Sequence, residues 1–370
     1  MAKLIIEKED LRHNIDKIKN YIKINKNSNN TKIIAVIKGN GYGLGLVKLT
    51  EFLIDNGISY FAVSTIEEAL ELRNNNIKEK ILMLSGTAIE KDLENLIKND
   101  IILTLSSKED IDGIEEIAGK LEKQVKVHLK IDTGFGRYGF VYKEKENILK
   151  LIKKLKNIKI VGTYSHFSNS YYDDKYTKIQ YDRFIEVTSY LKENNIDLGI
   201  LHICNTSAGL KSYEYHLDAV RFGSAFLGRL SFVNEIGLKK IGYLEERVSE
   251  IKKIPKGMNI GYSNIYKAPK DLKVCVIPVG YMNGLNVKND KDMFRFVDKI
   301  RYIWEDIRRL LKKQDMYIDI NGEKCKILGK IGTYHITCDI TNKDINIGDI
   351  AKLQINPKFV DSNIRREYRW

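Results

Sequence analysis

The sequence lacks any run of 18 apolar residues, so no segment is suited to span a bilayer as a helix. It also lacks an apolar leader, because three apolar residues near the N-terminus give way to the polar, acidic stretch Glu7–Asp10 without a small-residue cleavage site. No internal repeat or low-complexity tract stands out. These absences predict a cytoplasmic protein with no membrane partner.

Cysteine is scarce. The four cysteines are Cys204, Cys275, Cys325 and Cys338. None forms a Cys-x-x-Cys pair, and four are too few for a disulfide scaffold in a chain of this length. We expect reduced thiols in the core and no metal site.

Acidic residues are in deficit. The chain has 49 Asp and Glu against 62 Lys and Arg, which gives a net charge of +13. This charge permits a nucleic-acid partner, but the excess is mostly lysine scattered among asparagine and isoleucine, as on a solvated surface. We therefore expect no nucleic-acid partner.

The chain does contain a long alternation of short apolar runs and amphipathic helical stretches. Its length predicts roughly two to three domains. Eight strands are predicted, at Lys32–Lys38, Ser59–Val63, Lys80–Leu84, Ile101–Thr104, Val125–Lys130, Ile158–Tyr164, Ile200–Ile203 and Asp218–Arg221. Eight β/α units over residues 10–230 fit a closed (β/α)8 barrel of TIM type. An open doubly wound sheet is the alternative, because periodicity does not report closure.

After residue 230 the pattern changes to strand, turn and strand. Residues 231–370, together with a strand within 1–9, are predicted to form a mainly β domain. One basic amphipathic helix is inserted at about 289–313, and residues 291–313 contain eight Lys or Arg against four Asp or Glu. Such a helix can lie on a membrane or bind a partner, but packing of its apolar face on the β domain is favoured.

The segment Ala35–Gly45 is the most informative part of the chain. Lys38 closes the first barrel strand, and four glycines follow it within seven residues. Carboxyl ends of barrel strands form the active-site face, so Lys38 is expected to point into a pocket. A partly desolvated amine has a lowered pKa and attacks aldehydes well. The alternative is that Lys38 is only a solvent-facing strand end.

This segment resembles the Lys-Ala-Asn-Ala-Tyr-Gly-His-Gly signature of alanine racemases, which are fold-type III enzymes dependent on pyridoxal 5'-phosphate (PLP). The stretch His128–Phe140 resembles the family's Lys-x-Asp-Thr-Gly-Met-x-Arg-x-Gly motif. The resemblance implies that Arg137 contacts the substrate carboxylate and that a carbamylated Lys130 holds Arg137. From the residues alone, Arg137 is either a carboxylate clamp or part of a structural salt bridge.

Three further segments resemble the family's cofactor-binding positions. They are Tyr164–Asn169, Cys204–Ala208 and Val220–Ser224. The resemblance implies that His166 packs against the cofactor ring and that Arg221 faces the pyridine nitrogen. Because arginine does not give up its proton, that nitrogen would stay unprotonated and the ring would withdraw electrons less strongly. The remaining implied cofactor contacts are Tyr42, Asn205, Thr206, Gly223 and Ser224, of which the last three hold the phosphate.

In the β domain, Asn259–Tyr266 and Pro278–Gly284 resemble the family's Tyr-Gly-x-x-Tyr and Pro-x-Gly-Tyr-Ala-Asp-Gly segments. The resemblance implies that Tyr262 is a second acid/base and that Tyr281 orients it. Racemisation needs two such groups on opposite faces of a planar carbanion, and Lys38 with Tyr262 would form that pair. In the family the tyrosine comes from the partner subunit, which implies a homodimer with shared active sites.

The resemblance departs from the family at Thr333, which replaces a methionine beside the substrate carboxylate, and at Tyr334, which replaces an aspartate. The leading hypothesis is a PLP-dependent racemase of alanine, an isomerase that supplies D-alanine to cell-wall precursors. A second hypothesis keeps the chemistry but takes serine or another amino acid as substrate. A third is a non-catalytic PLP-binding or regulatory protein, against which retention of Lys38 and Tyr262 argues.

Overall fold

A computed structural model describes residues 1–24, 31–288, 296–311 and 315–370. The chain divides into two compact units, which are Glu9–Ile241 and the combination of Met1–Lys8 with Gly242–Trp370. The first unit is built of alternating strands and helices, and the second is mainly β. This is the order of fold classes that the sequence predicts.

The first unit is a parallel eight-stranded barrel. Around the barrel the strands follow the order Lys80–Met83, Tyr60–Val63, Lys32–Val36, Ala219–Phe222, Ile200–His202, Ile158–Tyr164, Val125–Asp132 and Leu103–Leu105. The ring closes between its ends, where the Met83 amide donates to Ile102 O and the Ile102 amide donates to Ile81 O, both at 2.9 Å. All eight predicted strands and the predicted barrel are confirmed.

Helices alternate with these strands. They span Lys8–Ile24, Lys38–Tyr42, Leu46–Asp55, Ile66–Asn74, Glu90–Lys98, Lys108–Lys120, Lys145–Ile152, Asp174–Glu193 and Thr206–Lys211, with a 3₁₀ turn at Tyr142–Glu144. A short strand, Phe140–Val141, pairs with the end of Val125–Asp132. The helices bury one apolar side against the barrel, as the 3.6-residue period of their sequences requires.

The second unit contains a nine-stranded sheet. Its strands lie in the order Glu250–Ile254, Leu272–Ile277, Ile336–Asp339, Glu323–Leu328, Tyr317–Ile320, Ile350–Gln354, Tyr243–Arg247, Lys3–Glu7 and Arg365–Arg369. A two-stranded sheet joins Asn259–Ile260 to Tyr266–Lys267, and 3₁₀ turns lie at Tyr262–Asn264, Tyr281–Asn283 and Pro357–Phe359. All four cysteines of the chain are buried and free, as expected.

The inserted helix is present, with Phe296–Leu311 described. The predicted residues 289–295 and 312–313 lie outside the described part of the chain. The prediction that its apolar face packs on the β domain is wrong, because its large apolar side chains are 38–86% exposed. Among the side chains of the helix that the structure describes, only Asp298 is buried, at 8% exposed, and Tyr302 is partly buried.

None of the described helices is both long enough and apolar enough to cross a membrane.

Candidate active site

A cavity of about 450 Å³ lies at the carboxyl ends of the barrel strands. This volume is within the range of small-molecule sites in proteins. Every barrel residue that the sequence analysis assigned to the site lines this cavity, namely Lys38, Tyr42, Lys130, Arg137, His166, Asn205, Thr206, Arg221, Gly223 and Ser224. The fold therefore brings together residues that are up to 186 positions apart in the sequence.

Lys38 follows the Lys32–Val36 strand and starts a left-handed turn. Gly39 and Gly41 have φ values of 65° and 62°, and the Gly41 amide donates to Ile37 O at 2.8 Å. Glycine adopts this conformation without the steric cost that a Cβ brings. The turn ends the strand at the cavity, where Lys38 is half-buried. Burial lowers the pKa of the Lys38 amine, and the nearby charge of Arg137 lowers it further.

Glu68 fixes this turn from the first turn of the neighbouring Ile66–Asn74 helix. Its carboxylate accepts hydrogen bonds from the amides of Gly39 at 2.5 Å and Asn40 at 3.2 Å. It also closes a capping box with Thr65 at the start of the Ile66–Asn74 helix. Sequence reasoning missed this role, although the spacing Thr65-x-x-Glu68 is a recognisable capping signal.

Arg221 is the buried cation of the site. Its Nη2 donates to the carbonyl oxygens of Ser165 at 2.7 Å and Ile203 at 3.0 Å. Burial lowers the pKa of Arg221 to about 10, so the guanidinium stays charged at neutral pH. Among the described residues, Nε donates no hydrogen bond, and the side chain borders the cavity. One N–H of Arg221 is thus left for a ligand.

A hydrogen-bonded chain extends from Arg221 through the barrel interior. Because arginine only donates, Nη1 donates to His202 Nδ1 at 2.5 Å. The proton of neutral His202 then lies on Nε2, which donates to His128 Nδ1 at 2.8 Å. His128 in turn donates from Nε2 to the hydroxyl oxygen of Tyr60 at 2.6 Å. The fixed charge of Arg221 therefore sets the tautomer of both histidines.

Both histidines of this hydrogen-bonded chain, His128 and His202, are neutral. Burial, and secondly the charge of Arg221, lower the pKa of His128 to about 3 and that of His202 well below its usual value. The ring of Tyr164 stacks on His202 with centroids 5.0 Å apart and planes 2° apart. Sequence reasoning missed Tyr60, His128 and His202. The available signal was weak, namely that His128 and His202 are each flanked by two apolar residues within a predicted strand.

We predict that Tyr60→Phe destabilises the protein by about 1–3 kcal/mol, because it leaves the buried His128 Nε2–H without an acceptor. The measurement is the free energy of unfolding from urea titration followed by fluorescence and circular dichroism. Tyr190→Phe is the matched control, since the Tyr190 hydroxyl makes no hydrogen bond within the described structure. If the two variants lose the same free energy of unfolding, the proposed hydrogen bond from His128 Nε2 to the Tyr60 hydroxyl does not stabilise the protein.

His166 lies beside Arg221 at the cavity. Its Nδ1 accepts a hydrogen bond from Arg221 Nη2 at 3.1 Å. Burial, followed by the charge of Arg221, lowers the pKa of His166 well below its usual value. The ring is therefore neutral and presents an uncharged flat surface. The ring of Phe135 contacts it edge-on, with centroids 5.4 Å apart.

The opposite end of the cavity carries hydroxyls and amides. The Gly223 amide lies 3.3 Å from Thr206 Oγ1, and Ser224 lies next to it on the cavity wall. Asn205 starts the short Thr206–Lys211 helix and accepts from the Ala208 amide at 3.1 Å. This end offers neutral hydrogen-bond donors of the kind that bind phosphate.

Lys130 and Arg137 lie on the third side of the cavity. Lys130 is buried, and its Nζ faces the rings of Tyr138 at 5.2 Å and Tyr164 at 5.1 Å. Burial, then the charges of Arg137 and Arg221, lower the pKa of Lys130 to about 7. Arg137 itself is exposed. The Lys130 amine is consequently far easier to deprotonate than that of an ordinary lysine.

The loop that carries Arg137 is ordered by Asp132. The Asp132 carboxylate accepts hydrogen bonds from the amides of Gly134 and Phe135, each at 2.8 Å, and of Gly136 at 3.0 Å. The guanidinium of Arg137 lies 4.3 Å from the centre of the Phe135 ring. These contacts position a cation that is available to an anionic ligand.

In the second unit, the remaining predicted residues form a separate group. The hydroxyls of Tyr281 and Thr333 are hydrogen-bonded at 2.8 Å, and the Tyr281 amide donates to Gly332 O at 3.1 Å. Tyr262 follows Gly261, whose φ of 78° reverses the backbone, and its side chain is 66% exposed. Tyr334 is exposed as well. Tyr262 is thus displayed on the surface of its own unit.

The barrel cavity suits PLP in its chemistry. It combines an amine of lowered pKa, neutral donors for a phosphate, and a guanidinium with a donor left for a ring nitrogen. Gly223 lets the ring of Tyr42 come close, because a Cβ there would lie 2.5 Å from the Tyr42 hydroxyl. A barrel with this set of groups defines the class of fold-type III PLP enzymes.

Comparisons with known proteins place the chain within this class. Residues 6–230 match the alanine racemase N-terminal domain and residues 241–363 match the alanine racemase C-terminal domain. An alanine racemase of Methanococcus maripaludis is 32% identical over 344 residues, which cover 90% of this chain and 85% of the relative. One of Clostridium tetani is 37% identical over 286 residues, which cover 75% of this chain and 72% of the relative.

Solved structures agree with these matches. The alanine racemase of Clostridium difficile 630 is 27% identical with a TM-score of 0.84, and the alignment covers 100% of this chain and 95% of that one. The chain belongs to the alanine racemase family. It is accordingly an isomerase that depends on PLP, as the sequence resemblance implies.

Proposed function

We propose that this chain interconverts L- and D-alanine by exchanging the α-proton between two bases, Lys38 on one face of the substrate and Tyr262 on the other. The observation that carries the proposal is the Lys38 amine, whose pKa is lowered in one cavity with Arg221, Arg137 and the neutral donors around Gly223. Relatives that cover most of the chain bear the name alanine racemase.

PLP, when bound, supplies an electron-withdrawing ring that acidifies the α-hydrogen of an amino acid. The protein holds it through Lys38, through Thr206 with the amides of Gly223 and Ser224, and through Arg221 opposite the pyridine nitrogen. Tyr42, His166 and Asn205 complete this proposed set of contacts. Arg221 keeps its proton, since it stays charged within a fully buried network.

Lys38 acts as one base. The lowered pKa of its amine raises the uncharged fraction at neutral pH, and only the uncharged amine accepts a proton. Tyr262 acts as the other base, and Tyr281 orients it from a position fixed by Thr333. Two bases on opposite faces return the proton to either face, which is what racemisation requires.

The proposal includes a homodimer in which each active site takes Tyr262 from the partner subunit. The exposed side chain of Tyr262 on its own unit supports this arrangement. Arg137 would bind the substrate carboxylate, with Tyr281 and Thr333 beside it. A cytoplasmic location, with supply of D-alanine to cell-wall precursors, belongs to the same proposal and is testable by cell fractionation.

The function is tested by incubating the PLP-loaded enzyme in heavy water with L-alanine and, separately, L-serine. Deuterium at the α-carbon and loss of optical rotation are measured by mass spectrometry and polarimetry. We expect exchange with alanine. Exchange with serine alone would favour the second hypothesis, in which serine is the substrate and the polar side chains of Thr333 and Tyr334 accommodate it. No exchange while the cofactor is bound would favour a non-catalytic PLP-binding protein.

We also predict that Lys130 reacts with carbon dioxide, forming a bond from Nζ to the carbon and releasing one proton. The uncharged amine reacts, so the adduct should form near and above pH 7 and disappear as acid protonates Lys130. The product is an anion that Arg137 and Arg221 stabilise. A carbamate signal from ¹³C-labelled bicarbonate should appear in the wild type and in the exposed-lysine control Lys154→Ala. Its persistence in Lys130→Ala would refute the assignment.

A further inference from the structure

The outward face of the Phe296–Leu311 helix has no function in the catalytic proposal. Eight large apolar side chains of this helix are exposed, namely Phe296, Val297, Ile300, Ile303, Trp304, Ile307, Leu310 and Leu311. Monomeric proteins rarely leave such a continuous apolar patch in water unless it contacts something. Among the side chains of this helix that the structure describes, only Asp298 is buried and Tyr302 is partly buried, and neither belongs to this face.

The apolar face is broad and runs the length of the helix. At roughly 100° per residue, the eight side chains fall within an arc of about 140° along about 24 Å of helix. Phe296 and Trp304 are among them, and aromatic side chains favour the boundary between lipid and water. The shape is a flat strip, which suits contact with a flat apolar layer.

The charges are arranged around this strip in a definite order. Arg301 and Arg308 lie at one edge of the arc, and Lys299 lies at the other. Asp298 and Glu305 lie on the opposite side of the helix, roughly 150–170° from the centre of the arc, and Asp306 lies roughly 110° from it, near Lys299. Basic groups at the edges of the apolar face reach the level of lipid phosphates.

The net charge of the chain also favours an anionic surface. Residues 296–311 contain four Lys or Arg against three Asp or Glu, and the whole chain has a net charge of +13. Anionic lipid surfaces attract such segments, and this attraction falls off within a few Debye lengths.

We propose that the Phe296–Leu311 helix docks this protein, parallel to the surface, onto a bilayer that contains anionic lipids. The eight apolar side chains enter the boundary of the acyl chains, and Lys299 and Arg308 contact the phosphates. The sequence analysis expected no membrane partner because no segment spans a bilayer. A helix that lies in the interface is a separate mode of attachment and needs no spanning segment.

The test is flotation of the PLP-loaded full-length enzyme with vesicles of phosphatidylcholine alone or mixed with phosphatidylglycerol. The wild type should float with the anionic vesicles, and binding should fall in high salt. Ile303→Glu should weaken binding by roughly tenfold or more, because it places a charge in the apolar face. Lys299→Glu combined with Arg308→Glu should weaken binding to anionic vesicles and leave the weak binding to neutral ones unchanged.

Ile89→Glu is the matched control. Ile89 is 64% exposed on the barrel and Ile303 is 59% exposed on the helix, so both substitutions add one charge to an exposed isoleucine. Both variants should keep racemase activity and the unfolding transition of the wild type. The proposal is overturned if the wild type does not float, or if Ile303→Glu floats as Ile89→Glu does. It is also overturned if Ile303→Glu instead lowers the oligomeric state without vesicles, which would identify a second copy as the occupant.

Discussion

Lys38→Ala is expected to abolish α-proton exchange and the visible absorbance of lysine-bound PLP together. In the proposed mechanism the Lys38 amine is both the covalent attachment point and one of the two bases, and it stands at the start of the left-handed turn at Gly39–Gly41. Loss of a positioned base alone lowers a rate by about 10²–10⁴-fold, and loss of cofactor attachment adds to this. Exchange in heavy water and the absorbance spectrum measure the two effects separately.

Lys32→Ala is the control, because Lys32 begins the same strand and is exposed at the opposite end of the barrel. This variant should retain both signals at wild-type levels. Retention of the PLP absorbance in Lys38→Ala would show that another amine carries the cofactor. An exchange rate within tenfold of the wild type would remove Lys38 from the two-base pair.

The barrel was predictable because its strands are buried on both sides. Runs such as Lys80–Leu84 and Ile158–Tyr164 are mainly apolar, as parallel strands between helices and a barrel core must be. The ring order also follows from short right-handed β/α connections. Closure did not follow from the pattern, because it depends on two backbone hydrogen bonds, from the Met83 amide to Ile102 O and from the Ile102 amide to Ile81 O, that carry no side-chain signature.

The site was predictable where family motifs mark it, and it was missed where only the fold brings residues together. Lys38, Arg137 and Arg221 each stand in a recognisable segment at a strand end. Tyr60 and His202, in contrast, are 142 positions apart and meet through His128 only inside the closed barrel. No sequence spacing predicts these hydrogen bonds. Arg221 sets the tautomers of the two histidines only because the folded barrel places it beside His202.

The orientation of the Phe296–Leu311 helix was mispredicted for a related reason. Periodicity identifies an apolar face but does not say what covers it. Packing on the β domain was the economical assumption, since most amphipathic helices bury their apolar side on their own domain. The exposure of all eight large apolar side chains shows instead that the described residues leave this face open to solvent.

Thr333 stands where the family has a methionine, and the structure shows what its hydroxyl contacts. The hydroxyl of Thr333 pairs with that of Tyr281 at 2.8 Å, a contact that the methionine at this position in the family cannot make. The substitution therefore fixes the Tyr281 phenol through a hydrogen bond. Because Tyr281 is proposed to orient Tyr262, the change acts on the geometry of the second base as well as on the substrate pocket.

Tyr262→Phe is expected to leave cofactor binding intact and to stop proton exchange from one enantiomer only. The substitution removes the phenolic oxygen and changes no residue of the barrel cavity, so the PLP absorbance should persist. Exchange that Lys38 carries out should continue, while exchange that depends on Tyr262 should fall by about 10²–10⁴-fold. Deuterium incorporation into D- and L-alanine, measured in separate reactions, distinguishes the two. Tyr266→Phe, four positions along, is the control and should exchange both enantiomers normally.

Mixing two variants that are each expected to lose racemisation, measured as loss of optical rotation, tests whether the bases come from different subunits. When Lys38→Ala and Tyr262→Phe homodimers exchange subunits, each mixed dimer contains one site with Lys38 and the partner's Tyr262 both intact. With random mixing, half of the dimers are mixed and one site of two is complete, so activity should recover to about a quarter of the wild-type value. If both bases came from one subunit, no mixed dimer would contain a complete site and activity would stay at the level of the parents. Recovery therefore demonstrates the shared site, and its absence after confirmed subunit exchange rejects it.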